Sequence, residues 1–414
     1  MVSRQEGTAV ETVSAPETTV VAGTRWHTGL ARLLEQSGVP CEIELPGGRR
    51  LRIGSGVPKF RVVIHSSDAV RRLDELSLSQ AYIDGQIDIE GDLLSVMSLR
   101  RVLEDRLGAL AAARLLWELF FLPWTLVNRR ATQHHYTLGD DFYLCFTDRN
   151  YHFYSHGIFH DENETLEQAS EHKLEQMFEG LQLKPGMRLL DIGGGWGAVI
   201  KYCSPRGVEA TSLTIVEDSQ RFIQNQLREL GLKGHVLLED FLAHQPAEPY
   251  DAIVIYGVIE HIPAYRKFAE QAWRCLKPGG RLYLDASATR EKWEASAFTH
   301  HFTWRGAHSF LCLQDVIQEL LFAGLDIVSV KEETRDYGLT MRHWAERFDA
   351  QHSMVTARWG EPLYRAHRLF LWGGSHGFFN GRLQAYSLIA RRGADRGPRP
   401  GVISRSKQFV KSLF

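Results

Sequence analysis

The residues best placed to do chemistry form the run Arg188-Leu-Leu-Asp191-Ile-Gly193-Gly194-Gly195-Trp196-Gly197. A stretch with the composition of a buried strand runs straight into a glycine-rich turn that opens a helix. Glycines there let the backbone approach a ligand closely, and the helix N-terminus behind them faces it. A lone glycine-rich turn is weak evidence, because dinucleotide sites use one too. Three details separate this turn from that class. The acid Asp191 precedes the first glycine, the glycines lack the G-x-G-x-x-G spacing that receives a pyrophosphate, and Lys184-Pro185-Gly186 leads into the strand.

Further acids follow in the same register. Val208 to Val216 reads as a second strand, followed by Glu217 and Asp218, where a carboxylate can accept from ribose hydroxyls. The strand His235 to Leu238 leads to Asp240 and Phe241, an acid for a purine amino group and a ring to cover the base. Tyr250 to Tyr256 reads as a fourth buried strand and ends in Gly257-Val-Ile-Glu260-His261. Open α/β sheets bind ligands beyond the C-terminal ends of their strands, which aims Glu260 at a reaction zone. Each acid alone reads equally well as a helix N-cap or a solvated loop end; their joint order does not.

The elements that must position these groups follow from periodicity. Helices alternate with buried strands from about residue 165 to 290, closing on the turn 276–280 and a strand from Arg281 to Leu284, which predicts a parallel sheet. Upstream, Cys41–Leu45 and Arg49–Ile53 flank Pro46-Gly47-Gly48 as a hairpin. Phe60–Ile64 reads as a strand, Ala69–Leu78 as a helix, and residues 88–92 as an acidic run, together a small α+β module. The division expected is a disordered tail over 1–24, an accessory domain over 25–105, a hydrophobic helical linker over 106–134, a catalytic domain over 135–392 and a basic tail over 393–414.

Composition narrows the class. The 414 residues carry 48 Lys+Arg against 50 Asp+Glu, a net charge of −2, which argues against a broad nucleic-acid footprint. A hydrophobic content of 44% excludes wholesale disorder. Five scattered cysteines with no CxxC pair disfavour a disulfide framework and a cysteine zinc site, so no metal is expected and a reducing compartment is. Residues 1–23 lack the basic and apolar regions of a signal peptide. Leu107–Val127 is apolar, but Arg114 and Glu118 interrupt it and Pro123 bends it, which argues against a spanning helix. Two readings of it stay open. One is a helix packed between domains; the other is an interfacial element with Trp117, Phe120, Phe121 and Trp124 in lipid.

The glycine turn with its preceding acid resembles motif I of class I S-adenosylmethionine methyltransferases. Four more segments make the resemblance specific: His135-Tyr-Thr-Leu-Gly-Asp-Asp-Phe-Tyr143, Tyr154-Ser155-His156, Gly257–Ile262 and Asp336–Trp344. They are similar to the cyclopropane-fatty-acyl-phospholipid synthase family, which includes mycolic acid methyltransferases, and the similarity runs from about residue 30 to 392. Gln80–Leu93 resembles that family's accessory domain. The resemblance implies an α/β fold, a class I methyltransferase Rossmann-like sheet with a small N-terminal α+β accessory domain. It implies S-adenosylmethionine as cofactor and methyl transfer to the double bond of an unsaturated acyl chain of a phospholipid. By the same resemblance His135, Tyr154 and Ser155 line the cofactor and the acyl entrance. Asp191, Gly193 and Gly195 hold the methionine end, Thr214 and Ile215 meet the ribose, and Asp240 and Phe241 meet the adenine. Ser219 and Gln220 compete for the place of a family glutamine. The implied setting is cytoplasmic, peripheral on the inner face of the membrane, with phospholipid acyl chains as partners and no nucleic acid. A homo-oligomer is left open.

The sequence departs from the family where the base should be. Ring-forming members hold a bicarbonate ion with a Cys of a Tyr-Ser-Cys motif, a Glu, a His, a main-chain group and a Tyr. Glu260 and Tyr337 are kept here, whereas His156 replaces the Cys, Asp285 replaces the His, and Ser287 stands two residues on. An added carboxylate repels bicarbonate in a low-dielectric pocket. The expectation is therefore a side-chain base, His156 or Asp285, and a methylene-branched product in preference to a cyclopropane. No nicotinamide or flavin fingerprint is present, so a later reduction would need a partner reductase. Two rival readings are a cofactor-binding subunit without chemistry and a methyltransferase acting on a soluble alkene such as an isoprenoid. Glu260 and Tyr337 weigh against the first, and the accessory domain, apolar segment and basic tail against the second.

Overall fold

The computed structural model describes residues 25–103, 138–291, 294, 296–303, 309–394 and 397; His135, the apolar segment 107–127 and the tail from 398 lie outside them. The chain begins with α1 (Arg25–Ser37) and a four-stranded sheet of β1 (Cys41–Glu44), β2 (Arg50–Ile53), β3 (Phe60–Ile64) and β4 (Ile87–Gly91), ordered β2-β1-β3-β4. The expected hairpin is β1–β2, paired from Cys41 with Ile53 to Glu44 with Arg50. The helix expected over 69–78 is displaced. Its periodicity straddles a 3-10 turn, Ser67–Val70, and α2 (Glu75–Ile83). Asp74 sets that start, because its carboxylate accepts from the Ser77 N–H at 2.8 Å. The short α3 (Leu93–Val96) follows β4.

The second sheet has seven strands: β5 (Arg188–Ile192), β6 (Glu209–Thr214), β7 (Gly234–Leu238), β8 (Tyr250–Tyr256), β9 (Leu276–Ala288), β10 (Leu325–Glu332) and β11 (Gln384–Arg392). Their order is β10-β11-β9-β8-β5-β6-β7, and β11 alone runs antiparallel to its neighbours. Continuous apolar runs such as Tyr250-Asp-Ala-Ile-Val-Ile-Tyr256 form the central strands because helices cover both faces. The second strand is shorter than expected, ending at Thr214, and Val216 becomes the N-cap of α7.

The helices are α4 (Asp140–Leu144), α5 (Leu166–Gly180), α6 (Ala198–Cys203), α7 (Glu217–Glu229), α8 (Tyr265–Cys275), α9 (Leu313–Ala323), α10 (Thr334–Ala350), α11 (His352–Trp359) and α12 (Glu361–Phe379). From β5 the chain winds one way to β6 and β7, then returns to β8 and β9 on the other side. That reversal opens a crevice at the C-terminal ends of β5 and β8. Helix α12 joins the two sheets. Arg365 Nη1 donates to the Tyr82 carbonyl at 3.0 Å and pairs with Asp88 at 2.7 Å, and Arg368 donates to the Tyr82 hydroxyl at 3.0 Å. Leu369 and Trp372 pack on the core of the N-terminal module. The helix therefore ties the N-terminal module to the larger domain.

Candidate active site

The glycine turn is built as a ligand cradle. The N–H groups of Gly193 and Gly194 both donate to the Leu213 carbonyl, at 2.9 and 2.8 Å, which folds the turn back on β6. Gly193 has φ +86°, and a Cβ there would lie 2.4 Å from Val258 Cγ2, so only glycine fits. At Gly195 the nearest atom to such a Cβ is 3.8 Å away, so this side of the turn faces open space. Asp191 is 2% exposed and lines that space, with its Oδ2 accepting from the Ser212 hydroxyl at 2.6 Å. Burial pushes its carboxyl up to about 7, so a cationic ligand would be drawn to it and would restore its charge. These features fit the methionine end of S-adenosylmethionine, with its ammonium and sulfonium charges.

The other expected cofactor residues divide. Tyr154 and Ser155 line the same cavity as Asp191, Gly193 and Gly195. Tyr154 stacks on Trp344, with ring centroids 5.1 Å apart, and meets Trp196 edge-on. Thr214 is buried, and its hydroxyl accepts from the Val216 N–H. Ile215 follows it, half-buried, at the strand's end. Ser219 is already engaged, donating to the Gly195 carbonyl at 2.6 Å, and Gln220 sits beside it on the first turn of α7. Asp240 is exposed and caps a short 3-10 turn, its Oδ1 accepting from the Leu242 N–H at 2.8 Å. Phe241 departs from expectation. It is 3% exposed and packs on Phe268 in the core, so its ring supports the loop and does not cover a base.

Beyond β8 the left-handed Gly257 turns the chain into a 3-10 segment, Ile259–His261, which carries Glu260 into the cavity. Its Oε1 accepts from the Ser287 N–H at 3.0 Å and the Ser287 hydroxyl at 2.8 Å. Its Oε2 has no hydrogen-bond partner among the described residues. Burial pushes the carboxyl up to about 7. An oriented, half-satisfied carboxylate in an apolar wall is suited to accept a proton. The same cavity has a largely apolar gallery walled by Phe298, Phe310, Met341, Leu369, Phe370 and Phe378, with Arg100, Glu294 and Arg382 also among its lining residues. Tyr337 lines it too, stacked between Phe378 and His156 with centroids at 4.3 and 4.7 Å.

His156 and Asp285 do not stand where a base must. Both are fully buried behind the wall, in a cluster with two residues that the motifs did not reveal, Lys173 and Glu333. Lys173 Nζ lies 2.5 Å from Asp285 Oδ2 and donates to Glu333 Oε2 at 2.6 Å. His156 Nε2 is 2.8 Å from Glu333 Oε2, and its Nδ1 is 3.3 Å from Asp285 Oδ2. Burial alone would depress the Lys173 ammonium; Asp285, Tyr283 and Glu333 outweigh it and raise its pKa. Burial would raise Glu333, but Lys173 and His156 hold it well below the usual carboxylate range. The expectation that Asp285 presents a bare negative charge is therefore wrong, because the Lys173 ammonium compensates it. The same geometry does not fit the family's bicarbonate site, since two of the side chains that would hold the ion, His156 and Asp285, face each other and are absent from the cavity wall. Lys173 left one signal in the sequence. It follows Ala169 by four residues and precedes Met177 by four, on the buried stripe of α5.

This fold, with its cradle and its open crevice, is that of a class I S-adenosylmethionine-dependent methyltransferase. The pattern of the Mycolic acid cyclopropane synthetase family matches residues 125–388, and the chain belongs to that family. A cyclopropane synthase from Mycobacterium tuberculosis superposes with a TM-score of 0.60 at 26% identity, covering 64% of this chain and 98% of that one. A sphingolipid C9-methyltransferase of Komagataella phaffii is 24% identical over 78% of this chain and 71% of its own length. A second, from Emericella nidulans, is 27% identical over 76% of this chain; the aligned part spans only 62% of that relative. A Mycobacterium tuberculosis protein named "Probable fatty acid methyltransferase" is 25% identical over 78% of this chain and 84% of its length. S-adenosylmethionine is the cofactor. Among the described residues no helix is long and apolar enough to cross a membrane.

Proposed function

We propose that the protein methylates a carbon–carbon double bond in the acyl chain of a membrane lipid. The observation that carries this reading is that the glycine turn, Glu260 and the largely apolar gallery all line one cavity. A soluble polar substrate would leave that gallery unmatched, whereas an acyl chain fills it and gains about 0.8 kcal/mol per buried methylene. The relatives' names, sphingolipid C9-methyltransferase and fatty acid methyltransferase, point the same way.

Bound S-adenosylmethionine supplies an electrophilic methyl group, which the π electrons of the double bond take. Asp191 and the Gly193–Gly195 turn would hold its methionine end, and Tyr154 and Ser155 would lie alongside. The substrate is left with a carbocation beside the methylated carbon. A hydride shift from that carbon moves the charge onto it and makes the cation tertiary. Glu260 Oε2 then removes a proton from the new methyl group, and that C–H electron pair forms a methylene double bond. The Ser287 donors hold Oε1 so that Oε2 stays aimed, and the carboxylate stabilises the cation meanwhile. We assign the base to Glu260 because His156 and Asp285 are sealed behind the wall. Reduction of the methylene to a methyl branch would fall to a separate reductase. Peripheral binding at the inner face of a membrane, with a phospholipid as substrate, completes the reading. The test is mass spectrometry of lipid fatty acids from an oleate-fed host expressing the chain. A mass gain of one CH2 per acyl chain supports it, and its absence with methylation of an added isoprenoid would overturn it.

A further inference from the structure

The cluster behind the cavity wall has no task in that reaction, and its construction is costly. A lysine withdrawn from water is unfavourable unless fully paired. Here the ligating atoms of His156, Asp285 and Glu333 lie within 4.8 Å of one another, an arrangement suited to a cation. Lys173 Nζ takes that place, within 2.9 Å of one atom of each. Glu333 is held on its other oxygen as well, by Gln176 at 2.7 Å and Ser387 at 2.6 Å. The carboxylate therefore has little freedom to move.

Two contacts lead from this cluster to the cavity. Ser155 donates to Asp285 Oδ1 at 3.0 Å, and Tyr337 lies against the His156 ring with the planes 27° apart. Ser155 and Tyr337 both line the cavity, and they come from distant parts of the chain. We infer that Lys173 is a positioning residue: by clamping Asp285 and Glu333 around His156, it fixes Ser155 and Tyr337 in the cavity wall. It thereby sets where the substrate stands relative to Glu260. The catalytic half of this inference rests on the proposed function; the structural half does not.

Lys173→Met alone strands two buried carboxylates and is expected to fold poorly. The test therefore uses the paired change K173M/E333Q, which removes one charge of each sign, with Glu333→Gln as a milder background that keeps the Lys173–Asp285 pair. The first readout is NMR of protein labelled with 13C-histidine. The His156 Cε1 resonance, assigned by its loss in His156→Gln, carries a ring-current shift from Tyr337. It is expected to move in both variants in the direction seen for Tyr337→Leu. The second readout is kinetic. In K173M/E333Q, kcat is expected to fall roughly 100-fold, the cost of a misplaced wall. KM for the acyl substrate and the Kd for S-adenosylhomocysteine should stay within about threefold, as for an interaction felt in the transition state. An unmoved His156 resonance in a variant that binds S-adenosylhomocysteine normally overturns the inference. So does unchanged kcat in the face of a moved resonance. Wild-type protein inert towards every lipid would instead strike the proposed function, and the NMR readout would still decide the positioning role.

Discussion

Lys173 Nζ and Asp285 Oδ2 are 2.5 Å apart with both side chains wholly shielded from water. An ion pair at that depth is weak evidence of net stabilisation, yet breaking it leaves an uncompensated charge. Lys173→Met should therefore lower the unfolding free energy by about 3–5 kcal/mol, the penalty for orphaning a buried partner. Denaturant melts of that variant and of K173M/D285N, which removes both charges of the pair, should show the double change recovering a large part of the loss. Additive losses would mean that the groups are not coupled.

Glu260→Gln keeps the shape and the Ser287 contacts on one oxygen but removes the basic one. It should lower kcat by roughly 10²–10⁴-fold, the range for a general base, and leave cofactor affinity nearly unchanged. The wild-type profile has a sign. A carboxyl pushed up to about 7 is protonated and idle below that value, so the rate should climb as pH rises through 7 and level off above it. A rate that falls over the same range would exclude Glu260 as the base.

Asp191 should couple cofactor binding to pH. Its carboxyl, also near 7 without ligand, must give up a proton to face a cation. Affinity for S-adenosylmethionine should increase from pH 6 to 7 and flatten beyond, with proton release visible by calorimetry in buffers of different ionisation enthalpy. Asp191→Asn should remove this pH dependence and cost about 1.5–3 kcal/mol of binding at pH 8.

The local part of the site was legible in the sequence, and the non-local part was not. Asp191, the glycine turn and Glu260 are written in contiguous strand-to-turn segments, whose geometry follows from the residues themselves. Ser212 is a clear miss, since its role comes from lying opposite Asp191 in the β5–β6 register. Glu333 and Lys173 lie outside every motif of the sequence, and only the four-residue spacing of Lys173 from Ala169 and Met177 hints at its buried face. Their partnership joins α5 to the start of α10 across 160 residues of chain, a contact that no local pattern encodes. The error about Asp285 came from the same source: its charge was visible and its counter-ion was not. The displaced helix at 69–78 is different. There a single periodicity runs over two short elements, and the structure starts the second of them at Asp74.

The gallery's width should be set by α12. A Cβ on Gly374 would come within 2.4 Å of Met341 Cε, the far end of a flexible side chain that itself lines the cavity. Gly374→Ala should fold, with Met341 swinging into the gallery. Acyl substrates that reach past this point should lose about 1–3 kcal/mol in kcat/KM, the value of a methylene-sized misfit, while shorter chains react as before. Chain-length profiles of the two proteins, measured with matched monounsaturated substrates, decide it; parallel losses at all lengths would place the acyl chain elsewhere.

The identity of the product follows from which group removes the proton. With His156 and Asp285 closed off by Lys173 and Glu333, the two side chains at those bicarbonate positions of the family are not free to hold the ion beside Glu260. Activity should therefore persist in buffer freed of carbon dioxide, and added bicarbonate should not raise it. The cation formed on methyl transfer is secondary, and a hydride shift makes it tertiary before Glu260 takes a methyl proton. Proton NMR of the extracted acyl chains should accordingly show vinylidene signals. High-field cyclopropyl signals that grow with bicarbonate would mean that the ion finds another seat and that ring closure outruns the shift. Cyclopropyl signals without bicarbonate dependence would keep Glu260 as the base but place it near enough to the methyl group to deprotonate the secondary cation first. The double variant H156C/D285H separates these cases. It dismantles the Lys173 cluster and restores the family's ligand set, so bicarbonate dependence should appear together with some cyclopropane if the closed cluster is what excludes the ion.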